Sequence, residues 1–159
     1  MQKRINLFDK DTEALYPIRQ ISLNIKKSSL GAGLTELVAL RISQINNCAY
    51  SLDRHWKQAI ANGERPELLN GLSAWRRIPS LTARECAALS WAEAVTNCNL
   101  SEEVYQQVLA CFTEQEMINL TLLITNINTW NRLNLAFPDA RVNASCRIYN
   151  HTKKQQYHG

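Results

Sequence analysis

The sequence predicts an all-α fold, and we expect one helical domain of about seven helices. Between Ser80 and Phe137 there is neither glycine nor proline, so no strong helix breaker interrupts this stretch. No segment alternates polar and apolar residues between turn signals, as strands do. Apolar residues instead recur at helical spacing, and one such stripe contains Leu34, Leu37, Val38, Ile42 and Ile45.

The first half of the chain contains four predicted helices. They lie at residues 11–27, 34–46, 48–61 and 66–75. Pro17 falls inside the first of them, so that helix either starts at Pro17 or kinks there. Asn62 and Gly63 form a typical helix stop, and Pro66 suits the first turn of the helix that follows.

The second half contains three more helices with clear start signals. They are predicted at residues 82–97, 101–112 and 114–136. Thr82 with Glu85, and Thr113 with Glu116, fit the capping box, in which the Thr side chain caps the first turn and the Glu reaches back. Ser101 is a good N-cap followed by two acidic residues, which the helix dipole favours.

Length and composition indicate a folded, water-soluble protein. A chain of 159 residues can bury a substantial core. With 45% hydrophobic and 20% charged residues it is not of the disordered class. No apolar run approaches the roughly 20 residues that cross a bilayer, and the polar start does not resemble a signal peptide. We therefore expect a cytoplasmic protein without membrane contact.

The net charge of +4 arises at the carboxyl end. Residues 140–159 contain four basic residues and no acidic one, whereas the first 139 residues carry 14 of each. A neutral body does not offer the basic face that nucleic-acid binding requires. We expect a domain at residues 1–139, a flexible basic tail at 140–159, and no nucleic-acid partner.

Cysteine and histidine usage predicts neither disulfides nor a metal. The five cysteines are Cys48, Cys86, Cys98, Cys111 and Cys146. An odd, widely spaced set without a secretion signal indicates reduced thiols. Only three histidines occur, and two lie in the tail, so no metal-ligand set is apparent. The four tryptophans are better explained by core or subunit contacts than by a cofactor, and we predict no cofactor.

The segment from Glu36 to His55 contains the candidate catalytic residues. Asn46 and Asn47 separate two helical patterns, which puts Cys48 at a helix N-terminus, where free N–H groups favour a thiolate. Cys48, Ser51 and His55 then share one helix face.

If the chain reverses at Asn46–Asn47, Glu36 and His55 lie about level on two antiparallel helices. A carboxylate beside an imidazole can relay protons. Spacing alone leaves open that these residues have purely structural roles. Glu36 would then lie on the surface, His55 would be a core histidine with its hydrogen bonds satisfied, and Cys48 would be a turn residue.

In its wider context this segment resembles the alkylhydroperoxidase D / carboxymuconolactone decarboxylase family. The motif of that family is E-x11-C-x2-C-x3-H, and this chain has Glu36, Cys48, Ser51 and His55 at those positions. The similarity runs roughly from Arg4 to Pro138. It includes RISQINNCAYSLDRHWKQA, AWR at 74–76, LSWAEA at 89–94 and NINTWNR at 126–132.

The resemblance implies an all-helical enzyme that forms homotrimers or homohexamers. In disulfide-forming members the second motif cysteine attacks a hydroperoxide and the first resolves the product as a disulfide. The Glu and His relay protons, and an external thiol or dithiol reduces the enzyme. In this chain Ser51 occupies the attacking position, and a hydroxyl neither ionises readily near neutral pH nor forms a disulfide. Peroxidase activity is therefore expected to be weak, to depend on Cys48 alone, or to be absent.

Two other functions remain open on the same scaffold. Decarboxylase relatives transfer protons on a small lactone acid without a cysteine pair, which would make Glu36 and His55 the working pair. Arg41 and Arg54 are the nearby candidates for a substrate carboxylate. The remaining alternative is a non-enzymatic oligomeric relative whose site has decayed.

Overall fold

The prediction of an all-α fold is confirmed. The structure is a computed structural model that describes Ile5, Leu7 and residues 13–138. Over residues 13–138 it contains seven α-helices, two short 3-10 helices and no strand. The α-helices are α1 (Tyr16–Lys26), α2 (Ala32–Ile45), α3 (Ala49–Ala61), α4 (Pro66–Gly71), α5 (Ala83–Thr96), α6 (Glu102–Leu109) and α7 (Glu114–Ala136). The tail predicted at 140–159 lies outside the described residues.

The N-terminal signals of the last three helices act as predicted. Thr82 and Thr113 each accept a hydrogen bond from the backbone N–H of the glutamate three residues on, and that glutamate side chain binds back to the cap. Ser101 accepts from the N–H of Val104. These bonds satisfy N–H groups that have no partner inside the helix. They form within one turn, which is why sequence alone predicts them.

The first helix begins at Tyr16, so Pro17 lies in its first turn. Proline has no N–H to donate, and in the first turn no helical acceptor is present, so it costs nothing there. The alternative in which the helix starts at Pro17 is confirmed to within one residue. The other alternative, a kink at Pro17 within a longer helix, is wrong. A 3-10 turn at Glu13–Leu15 precedes α1, while residues 11 and 12 lie outside the described part.

The fourth predicted helix continues as a different kind of helix. Residues Leu72–Arg77 form a 3-10 helix directly after α4, with Ala74 outside helical backbone angles. Leu72 and Trp75 are both buried. The α-helix predicted at residues 66–75 therefore ends at Gly71, and the chain continues through a bend at Ala74.

The sixth helix is shorter than predicted, because it ends at Leu109 rather than at residue 112. Phe112 is buried immediately before the N-cap of α7. The chain leaves the helix early so that this ring can reach the core and Thr113 can start the next helix.

Helix α2 is the central element of the fold. Residues 36–40, together with Ile42 and Ser43, are buried. One side of α2 packs with α5, α6 and α7, and the other packs with α3, α4 and the 3-10 helix. Each fully buried Leu or Ile contributes about 1.5–3 kcal/mol relative to exposure. Glu36 is the only charged residue among the buried residues of α2.

A tight turn joins α2 to α3 and reverses the chain. Asn47 adopts a positive φ of 53°, a conformation that Asn tolerates better than most residues. The N–H of Cys48 donates to the carbonyl of Ser43, which closes the turn. The chain therefore does reverse at Asn46–Asn47, and the resulting helical hairpin puts residues of α2 opposite residues of α3.

No helix in the described part of the chain combines the length and apolar character that a bilayer crossing requires.

Candidate active site

The structure brings Glu36 and His55 together across the hairpin. The distance from Glu36 Oε2 to His55 Nδ1 is 2.7 Å, and both side chains are almost nine-tenths buried. A histidine that uses Nδ1 on a carboxylate has Nε2 available for another partner. The pair therefore has the arrangement of an imidazole oriented by a carboxylate, with one ring nitrogen left for chemistry.

Cys48 and Ser51 lie together at the start of α3. Cys48 is the N-cap residue, with extended backbone angles, and its Sγ donates to Ser51 Oγ at 3.3 Å. Cys48 is only 1% exposed and Ser51 is 3% exposed. The predicted position of the thiol at a helix N-terminus is correct, but solvent does not reach it directly.

A cavity of about 430 Å³ opens beside these residues, between α1, α2, α3 and α7. Glu36, Ser51 and His55 line it, whereas Cys48 does not. Much of the remaining wall is apolar, with Leu23 and Trp130 among its residues. A small molecule in the cavity would thus lie next to Ser51 and His55, with Cys48 outside the cavity wall.

Helix α7 adds polar residues that the sequence analysis did not assign to the site. Asn126, Asn128, Asn131 and Asn134 are all buried. Asn134 lines the cavity and its Nδ2 donates to Ser51 Oγ at 3.4 Å. Asn126 also lines the cavity and joins α7 to α1 through Ser22. Asparagine is unfavourable inside helices. Four asparagines within nine residues of one helix were therefore the signal in the sequence that could have pointed to these buried polar residues.

The two arginines considered for a substrate carboxylate have different positions. Arg41 does not line the cavity, and its guanidinium binds Glu93 Oε1 at 2.8 Å. Arg54 lines the cavity, on the same helix as His55. Of the two, only Arg54 can contact a molecule bound beside His55.

Glu93 is the acceptor of a structural network. Trp75 Nε1 donates to it at 2.9 Å, and Arg76 binds it at 2.7 Å from the other side of the carboxylate. Burial raises the pKa of Glu93, but the hydrogen bonds from Trp75, Arg76 and Arg41 outweigh burial and lower it overall. The network ties α2 to α5 and to the 3-10 helix, and its role is to hold the fold.

The remaining described cysteines lie away from the cavity. Cys86 and Cys111 are half-buried, Cys98 is exposed, and none of them lines the cavity. Burial is the largest cause that raises the pKa of the Cys86 thiol. Cys146 lies outside the described residues. Over the described residues, no group of three or more His, Cys, Asp or Glu side chains is arranged to hold a metal ion.

Comparison with known protein families gives a clear match. The sequence model of the carboxymuconolactone decarboxylase family matches residues 14–94. The uncharacterized protein YdfG of Bacillus subtilis is 30% identical over 139 residues, which cover 86% of this chain and 95% of the relative. The uncharacterized protein YnjA of Escherichia coli is 33% identical over 129 residues, which cover 79% of this chain and 70% of the relative.

Solved structures share the same fold. A protein of unknown function from Agrobacterium tumefaciens, described as a candidate antioxidant defence protein AhpD, superposes with a TM-score of 0.80 at 32% identity, over 86% of this chain and 95% of its own. The debrominase Bmp8 superposes with a TM-score of 0.71 at 18% identity, over 80% of this chain and 72% of its own. At that identity the similarity extends to the fold alone.

Proposed function

Because the chain belongs to the carboxymuconolactone decarboxylase family, we propose that it is an enzyme that transfers protons to and from a small molecule bound in the cavity. His55 is the acid–base group and Glu36 is its hydrogen-bond partner. The observation that carries the proposal is the 2.7 Å contact between Glu36 and His55 on the wall of the cavity. A positioned group of this kind accelerates a reaction by about 10²–10⁴-fold.

The reaction class that fits is proton transfer at a carbon next to a carbonyl, with or without loss of carbon dioxide. When a carboxylate leaves as carbon dioxide, the electron pair of the broken carbon–carbon bond remains as an enolate. The enolate then takes a proton from the imidazolium of His55. Arg54 lines the cavity and is the proposed partner of the substrate carboxylate.

Ser51 separates this function from the dithiol cycle implied by the family motif. Ser51 lines the cavity at the position of the attacking cysteine, yet its oxygen cannot form the disulfide that closes the cycle. A dithiol-driven peroxidase is therefore not the proposed activity of this chain.

A one-cysteine peroxidase is the second candidate, because Cys48 Sγ lies 3.3 Å from Ser51 Oγ and thus directly behind the cavity wall. In that reaction the Cys48 thiolate attacks the terminal oxygen of a hydroperoxide, and the oxygen–oxygen bond breaks. The alcohol leaves and a sulfenic acid remains. Two equivalents of an external thiol then return the thiol and release water and a disulfide of the reductant.

The proposed assembly is a homotrimer or homohexamer, as the resemblance implies. Apolar side chains at the surface of α1 and α7 support it, since Leu23, Ile118, Leu122 and Leu135 are all exposed.

The test is deuterium exchange in D2O, followed by NMR, on a panel of small 3-oxo acids and lactone acids. We expect exchange or decarboxylation with at least one of them, and a loss of about 10²-fold or more in His55→Gln and in Glu36→Gln. Lys57→Gln is the matched control, because Lys57 lies on the same helix but is exposed and paired with Asp53.

A parallel assay measures consumption of tert-butyl hydroperoxide with reduced dithiothreitol. Consumption that disappears in Cys48→Ser, without exchange on any acid, would support the one-cysteine peroxidase instead. If the protein shows activity in neither assay, the non-enzymatic interpretation is the one that remains.

A further inference from the structure

Trp130 contributes an indole ring to the wall of the cavity. It lies on α7 and is half-buried, whereas Trp75 and Trp91 are buried in the core. Leu123 and Ile127 line the cavity from the same helix, and their spacing puts them on the same helix face as Trp130. Helix α7 therefore gives the cavity an apolar wall that includes an aromatic ring.

The polar edge of this indole is already bonded to α1. An indole N–H can only donate, and Trp130 Nε1 donates to Ser22 Oγ at 3.3 Å. The Ser22 hydroxyl donates to Asn126 Oδ1 at 2.7 Å, a shorter contact than the 3.3 Å to the carbonyl of Ile18. Asn126 Nδ2 donates to that same carbonyl at 3.0 Å. These bonds restrain the ring, and they leave only its carbon atoms for a molecule in the cavity.

We infer that Trp130 selects the body of the ligand and favours a planar aromatic or conjugated body over a saturated one. Aromatic rings pack in offset-stacked or edge-to-face geometry, and such a pair contributes more than the area it buries. Ser22 and Asn126 are positioning residues, because they hold the indole through its N–H. The inference deepens the proposed function, on which it rests for the cavity being the substrate site.

The substrate class that follows is a small acid with a planar unsaturated body. Arg54 would bind the carboxylate, as proposed above, and Trp130 would contact the flat part of the molecule. A conjugated body also suits the proposed reaction. The enolate that remains after loss of a proton or of carbon dioxide is itself planar, and conjugation spreads its charge.

The experiment compares binding of benzyl alcohol and cyclohexylmethanol to wild type and Trp130→Leu by ligand-observed NMR. The two probes have the same functional group and similar bodies, but only one is aromatic. Both are neutral, so neither depends on Arg54. We expect wild type to prefer benzyl alcohol by about threefold or more, which is the effect of one aromatic pair. In Trp130→Leu the preference should fall to about one.

Trp56→Leu is the matched control. Trp56 is also half-buried, but it packs against the core around Leu69 and does not line the cavity. The same substitution therefore removes an indole of similar burial without changing the cavity wall. We expect this variant to keep the preference for benzyl alcohol.

A second measurement does not require the leucine variant to fold. The four tryptophans give four indole N–H signals in a 1H–15N spectrum of wild type. The Trp130 signal is the one absent from Trp130→Phe. The ring current of bound benzyl alcohol should shift this signal and leave the other three in place.

Ser22→Ala tests the positioning role. It removes the acceptor of the indole N–H, so the Trp130 signal should move in the free protein and the preference should fall by about twofold or more. Ser22→Thr keeps the hydroxyl and should retain both wild-type properties. A purely structural contact between α1 and α7 would lower stability without changing the preference, so an unchanged preference in Ser22→Ala would overturn this role.

The inference as a whole is overturned if wild type binds neither probe or binds both equally. It is also overturned if benzyl alcohol does not shift the Trp130 signal, or if Trp56→Leu abolishes the preference as Trp130→Leu does. Because the probes are neutral and binding is measured rather than turnover, failure of the proposed acid–base reaction would leave these results unchanged. The two failures are therefore distinguishable.

Discussion

Ser51→Cys should convert this site into a dithiol peroxidase. The change replaces one oxygen by one sulfur at a buried position, 3.3 Å from the thiol of Cys48. A disulfide needs the two sulfurs about 2.05 Å apart, so the first turn of α3 must close by about 1.3 Å. The longer carbon–sulfur bond supplies part of this movement.

The resulting disulfide should be easy to reduce. It closes a loop of four residues, for which loop-closure entropy gives only about 2 kcal/mol of stabilisation. A weak disulfide suits a catalytic cycle, because an external dithiol can reopen it. The introduced thiol also lies in the cavity wall beside His55, which can protonate the departing alkoxide.

The assay is consumption of tert-butyl hydroperoxide with a reduced dithiol donor. We expect activity near background for wild type and clear turnover for Ser51→Cys, with a disulfide between Cys48 and the introduced thiol detected by mass spectrometry. Adding His55→Ala should remove about 10²-fold or more of the gain.

Ser22→Cys is the matched control, because Ser22 lines the same cavity from α1 and so adds a thiol outside the motif. If Ser51→Cys gains neither activity nor a disulfide, the assignment of this site is wrong. If wild type is as active as the variant, Cys48 acts alone.

Four further outcomes are expected. Glu93→Gln should lower the free energy of unfolding in urea by about 2–3 kcal/mol, because it weakens charge-assisted bonds from two arginines and an indole; a loss under about 0.5 kcal/mol would contradict that role. Bonds from Arg84 lower the pKa of Glu116 from its usual 4.5 to about 2, so its contribution to stability is present above pH 4.5 and disappears as the pH falls toward 2; Glu116→Gln should flatten this part of the stability–pH curve. Iodoacetamide should modify buried Cys48 far more slowly than exposed Cys98 in the native protein, and equal rates would favour the one-cysteine peroxidase. Light scattering should give a multiple of 18.1 kDa, and a monomer at micromolar concentration would refute the proposed assembly.

Helix starts that depend on residues within one turn were predictable from the sequence. Capping at Thr82 and Thr113 depends on residues within one turn, so the starts of α5 and α7 follow from the sequence. The 3-10 helix at Leu72–Arg77 was not predictable, because it depends on burying Trp75 against distant parts of the core. The same holds for the early end of α6, where Phe112 reaches into the core.

By itself the sequence determined the helical class and the family resemblance. It predicted Glu36 and His55 at about the same level only if the chain reverses at Asn46–Asn47, and the structure shows that it does. Only the tertiary structure decided which side chains face the cavity. It places Ser51 on the wall with Cys48 behind it, and it brings Asn134 to Ser51 across 83 residues of sequence. Such contacts depend on how whole helices pack against one another, and no local pattern of residues records that packing.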